Sequence, residues 1–86
     1  MKSQELQEAD GFEAFWKAYP LKRSKLDALK AWRKLTPPLE TVLDAIEAQR
    51  TCRQWRDGYI PHPATWLRRG GWMDELTAAD FYQARL

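Results

Sequence analysis

Between Tyr59 and Trp72 the chain places three aromatics, two prolines, two arginines and a glycine pair within 14 residues. Rigid rings beside guanidinium groups are the parts with which proteins stack bases and hold phosphates. Tyr59 and Trp72 are the candidate stacking faces, Arg68 and Arg69 the candidate phosphate contacts, and Trp66 is expected in the core. A second set of cations lies earlier: Lys22, Arg23, Lys25, Lys30, Arg33 and Lys34. The block from Lys17 to Lys34 carries +6 and that from Arg50 to Arg69 +4, although the whole chain is only +2. Acidic stretches separate the two, so a local positive patch can form on a nearly neutral molecule.

No comparable constellation exists for catalysis, and the chain reads as a non-enzyme. His62 is the only histidine, stands between Pro61 and Pro63, and has no carboxylate partner in the pattern. A general base needs an orienting group and a substrate pocket. Cys52 is the only cysteine, which excludes an internal disulfide and a Cys/His zinc site. A thiol beside Arg50 and Arg53 but without a base is a poor nucleophile. Asp74 and Glu75 are adjacent, so on a helix they would point apart. Gly70-Gly71 lacks the Lys-Ser/Thr that follows the glycines of a P-loop. Neither a cofactor nor a metal is expected.

The elements that must position these residues are helical. Asp10 with Glu13 forms a plausible capping arrangement, and Phe12, Phe15, Trp16 and Tyr19 then recur at helical spacing as one core stripe. Pro20 stops that helix. Ser24 can cap a second one running to about Leu35, with Ala28, Ala31, Trp32 and Leu35 on one side and Leu29 at its edge. Lys30, Arg33 and Lys34 lie on the other side, beside Leu26. Thr36-Pro37-Pro38 reads as cap, first helical position and start of a third helix. Leu39, Val42, Leu43 and Ile46 line one of its faces, and Glu40, Asp44 and Glu47 an adjoining acidic one. Arg50 and Arg53 continue the apolar direction beyond Ile46. Arg56-Asp57-Gly58 reads as a turn.

Two prolines around His62 make an extended, stiff connector, because each lacks an N–H and fixes φ. Pro63 suits the first position of a short helix over 64–69, and Gly70 the left-handed residue that ends it. Thr77 and Asp80 suggest a last short helix through Phe81 and Tyr82. The expected fold is therefore all-α: a small single-domain bundle of four to five short helices with a Pro-rich extended connector. Residues 1–9 read as a flexible polar terminus and 10–86 as the helical domain.

At 86 residues, 44% hydrophobic and 13% aromatic, the chain can build one modest core without staples. No apolar stretch approaches the ~18 residues of a membrane span, and no signal-peptide pattern opens the chain. A cytoplasmic location is expected, the host cytoplasm if the protein is phage-encoded, with no membrane partner.

Several of these segments together resemble the C-terminal module of phage and prophage replication proteins, the replisome-organiser and helicase-loader-like group. Phe12, Phe15, Trp16, Tyr19 and Pro20 match its opening, and Lys22, Arg23 and Lys25 its basic residues. Ala28, Ala31, Trp32, Lys34 and Leu35 follow, then Tyr59 to Leu67, then Trp72, Asp74 and Glu75. The likeness covers residues 11–75. The chain departs from the pattern at Arg68, where Asn is usual, and at Gly71, where Arg is usual. It also lacks the winged helix that commonly precedes the module, as an excised domain or a free-standing copy would.

The resemblance implies a DNA-replication accessory module that binds single-stranded DNA with low sequence specificity and touches a replicative helicase. No helix carries the Asn/Gln/Arg face expected of major-groove reading. The alternative is a protein-interaction module that docks on or inhibits a host protein, with Trp55, Trp72 and arginines as interface anchors.

Overall fold

The computed structural model describes residues 11–77 and residue 80. The terminus 1–9, the Asp10 cap and the helical turn at Phe81 and Tyr82 lie outside the described residues. Within them the chain forms five α-helices and no strand: α1 (Phe12–Ala18), α2 (Lys25–Leu35), α3 (Leu39–Gln49), α4 (Arg53–Arg56) and α5 (Pro63–Arg68). A 3₁₀ turn, Gly71–Met73, follows α5. The expected all-α class is what the fold shows.

The first two helices stop where the sequence placed their ends, at Pro20 and near Leu35, but the third begins later than expected and the cap chemistry differs. Ser24 and Thr36 flank α2, yet both take the left-handed conformation, at φ 48° and 40°, and neither side chain caps a helix N-terminus. Thr36 closes α2 instead of opening α3, with its N–H bonded to the Trp32 carbonyl at 2.7 Å. Pro37 cannot continue the helix, so it and Pro38 form the link, Pro38 is the N-cap and α3 begins at Leu39. Pro63 starts α5, and Gly70 at φ 69° follows its end, both as expected. His62 occupies the N-cap position of α5 through its backbone, without a side-chain cap bond.

Helix α2 packs most extensively against α5, where Ala28, Ala31 and Ala64 are buried and let the backbones approach. Helix α1 packs on both α2 and α3. Trp66 sits at the centre with no exposed surface. Phe15 stacks on it at 6.1 Å, Tyr19 lies at 5.5 Å, and Trp55 and Trp72 meet it edge-on at 6.4 and 6.3 Å. Phe15 also stacks on Trp32 at 5.2 Å. Aromatic pairs in such geometries add roughly 0.5–1.5 kcal/mol each to the burial term.

Of the expected stripe on α1, Phe12, Phe15 and Tyr19 are buried and Trp16 is half-buried. Leu35 was expected on the buried side of α2 but is 38% exposed at the helix end. Trp55, counted among the exposed docking residues, is 5% exposed and belongs to the core, because α4 turns its ring inward against Tyr19 and Trp66.

A polar clamp crosses this apolar centre. The indole Nε1 of Trp66 donates to Gln49 Oε1 at 3.0 Å, and Gln49 Nε2 donates to the Gly71 carbonyl at 2.9 Å. One amide therefore ties α3, α5 and the 3₁₀ turn together. No buried side-chain nitrogen or oxygen among the described residues lacks a partner, as low-dielectric interiors require.

Candidate nucleic-acid interface

Ala28, Ala31 and Trp32, three and four residues apart, share the inward face of α2, so residues two positions from them, about 200° around the helix, face out. Lys30, Arg33 and Lys34 are all exposed, and Arg23 is exposed in the link before the helix. Leu26 projects from the same outward face at 63% exposure. On α5, which packs against α2, Arg68 is exposed.

Two lysines of the same basic block have other work. Lys22 Nζ donates to the carbonyls of Trp16 at 2.6 Å, Lys17 at 3.1 Å, and Tyr19. These carbonyls lack helical partners at the end of α1, where a cation also meets the negative end of the helix dipole. Burial of the ammonium, and next the Arg50 guanidinium, hold the Lys22 pKa below the ordinary lysine value. Lys25 pairs with Glu13 at 3.6 Å. Both ammonium groups stand over the Trp16 ring, Lys22 at 5.9 Å and Lys25 at 5.6 Å from its centre, within cation–π range.

The connector holds Tyr59 by its backbone and leaves its ring outside. The Tyr59 N–H donates to the Gln54 carbonyl at 2.9 Å, Gln54 Nε2 donates to the Tyr59 carbonyl at 3.3 Å, and the residue is 70% exposed. Further along, the Tyr19 hydroxyl donates to the Pro61 carbonyl at 2.6 Å. Burial pushes the Tyr19 pKa well above the usual tyrosine value, opposed in part by the Arg69 charge. Trp72 is half-buried with its ring against Trp66, so it offers a stacking ligand less surface than Tyr59 does. Arg69 pairs with Asp74 at 3.8 Å, both side chains about half exposed (49% and 48%).

The ten candidate residues thus divide. Arg23, Lys30, Arg33, Lys34, Arg68 and Tyr59 are exposed; Lys22, Lys25, Arg69 and Trp72 make the hydrogen-bond, ion-pair and ring contacts described above. The acidic row Glu40, Asp44 and Glu47 is exposed on α3.

Sequence reasoning missed a cleft of about 410 Å³. Its walls include Arg53, Gln54, Trp55, Arg69, Asp74 and Glu75. Arg53 was expected to prolong the face of α3, but that helix ends at Gln49 and Arg53 opens α4 instead. No group of three or more His, Cys, Asp or Glu among the described residues is arranged to hold a metal ion. None of the described helices is long and apolar enough to cross a membrane. Cys52 is buried at the N-cap of α4.

Residues 7–70 match the family model described as the Legionella vir region protein LvrA C-terminal domain. No curated protein and no solved structure matches the chain.

Proposed function

The chain belongs to the LvrA C-terminal domain family, and we propose that it is a non-catalytic module that binds single-stranded nucleic acid with little sequence preference. The observation that carries this is the outward face of α2, where Lys30, Arg33 and Lys34 are exposed together while the opposite face is sealed against α5. Arg23 and Arg68 extend the set of exposed cations, and the exposed Tyr59 ring supplies a stacking surface. Stacking of one base on such a ring contributes roughly 1–3 kcal/mol. Lys22 and Lys25 are structural in this proposal. The replication role and the helicase partner rest on the phage-protein resemblance alone.

Fluorescence anisotropy with labelled single-stranded and duplex oligonucleotides at several salt concentrations tests it. Binding should prefer single strands and weaken steeply with salt through counterion release. Lys30→Ala/Lys34→Ala should flatten the logarithmic salt slope by about 1.4, two phosphate contacts at ~0.7 each. Absence of binding at micromolar protein in low salt would overturn the proposal.

A second reading is favoured by Leu26, an apolar side chain 63% exposed within the basic face. A protein partner with an acidic, partly apolar surface would use it; a nucleic-acid strand would not. Leu26→Ala should leave oligonucleotide affinity unchanged under the first reading and abolish capture of a protein partner under the second.

A further inference from the structure

The cleft beside α4 is joined to the exposed Tyr59 by one residue. Gln54 lines the cleft, and it also exchanges two hydrogen bonds with the Tyr59 backbone. Gln54 thus ties the backbone segment that carries the exposed Tyr59 ring to a wall of the cleft. The volume, about 410 Å³, falls in the lower part of the ~300–1,000 Å³ range of ligand pockets. That is room for a single base with part of its sugar, not for a duplex.

The walls carry acceptors and donors together. Arg53 and Arg69 bring guanidinium groups with five N–H donors each. Asp74 is paired with Arg69 at 3.8 Å, and Asp80 accepts the Thr77 N–H at 2.7 Å, so both carboxylates are engaged. Glu75 lines the same cleft and is exposed at its rim. A carboxylate accepts from an exocyclic amino group but repels a carbonyl oxygen at the same place. Cytosine presents an amino donor beside ring-nitrogen and carbonyl acceptors, and adenine an amino donor beside a ring-nitrogen acceptor. Thymine and uracil present a carbonyl where the amino group would be.

We propose that this cleft is a subsite for one unpaired, amino-bearing base, with Glu75 accepting from the amino group and an arginine donating to the neighbouring acceptor. The subsite rests on the strand-binding reading and narrows its low sequence preference at one nucleotide position only, where thymine and uracil are disfavoured.

The test compares short labelled oligo-dC and oligo-dT on the full chain by anisotropy at low salt. Oligo-dC should bind about tenfold more tightly, the lower end of the discrimination that one good base contact gives. Glu75→Ala, a rim substitution whose fold is checked by circular dichroism, should bring oligo-dC down to the oligo-dT level. Tyr59→Ala should weaken both equally. Equal affinities in the wild type, or a preference that survives Glu75→Ala, would overturn the subsite and leave strand binding standing. If neither oligonucleotide binds, the strand-binding reading itself falls, and the subsite with it.

Discussion

Replacing Gly71 by alanine tests whether the centre of this fold is as tightly closed as its geometry requires. A Cβ at position 71 would lie 2.2 Å from Trp66 Nε1 and 2.4 Å from its Cδ1 and Cε2. Ordinary carbon contacts sit near 3.5–4.0 Å, so something must move by more than about 1 Å. The indole has nowhere to go, because Trp66 has no exposed surface and is boxed in by Phe15, Tyr19, Trp55 and Trp72. If instead the 3₁₀ turn lifts, the Gly71 carbonyl leaves Gln49 Nε2 and the amide that also receives Trp66 Nε1 is disturbed. Overpacking costs about 1–3 kcal/mol, and a buried hydrogen-bonding group left without its partner about 1–3 kcal/mol more. Gly71→Ala should therefore destabilise the domain by about 3–5 kcal/mol, against roughly 4–13 kcal/mol for a chain of this size. Urea denaturation followed by tryptophan fluorescence and by far-ultraviolet circular dichroism measures it. The double variant with Gln49→Ala should cost less than the two single changes together, because contacting residues couple by about 0.5–3 kcal/mol. A loss below about 1 kcal/mol for Gly71→Ala would refute the account of the clamp, since the ring or the turn would then relax cheaply.

Three further outcomes follow from single contacts. Tyr19 has its pKa raised by burial, so the folded state favours the neutral phenol. That contribution is complete below the unfolded-state value near 10 and is lost as pH rises above it, so alkaline unfolding should be measurably delayed in Tyr19→Phe. Lys22→Ala should reduce stability by about 0.3–1 kcal/mol through loss of the cation at the end of α1, while oligonucleotide affinity and salt slope stay as in the wild type. A slope change in that variant would return Lys22 to the binding face. Thr36→Gly should raise the denaturation midpoint: a β-branched residue at φ 40° carries about 1–2 kcal/mol of left-handed strain, which exceeds the roughly 0.4–1 kcal/mol by which glycine loosens the unfolded chain.

Helix positions were legible because apolar residues recur at 3.6-residue spacing and prolines punctuate them. Phe12, Phe15 and Tyr19, or Val42 and Ile46, need only the period of one helix to be recognised as core. The tetrapeptide α4 is too short to show a period, which is why Trp55 looked available for docking and is buried instead. Lys22 and Lys30 look alike in a basic block. What separates them is the Pro20 stop, which places Lys22 over the end of α1 and leaves Lys30 on the outward face. One signal was present and went unread: Gln49 continues the buried face of α3 in phase with Val42 and Ile46. A polar residue in phase with a core stripe must find partners, and its partners lie 17 and 22 residues further on. The cleft has no local pattern at all, since α4 and the residues after the 3₁₀ turn build it jointly.

The most specific motif in the chain, from Tyr59 to Leu67, is largely a statement about packing. Pro63, Ala64, Trp66 and Leu67 are buried, and Pro61 supplies the carbonyl that holds the Tyr19 hydroxyl. Tyr19 and Trp32 are buried against the same centre. At Gly71 any side chain meets the Trp66 indole. Likeness in these residues therefore carries the fold from one protein to another more securely than the ligand. The proposed binding role falls to the complement: Tyr59 within the motif, and outside it the exposed cations of α2 and the rim of the cleft.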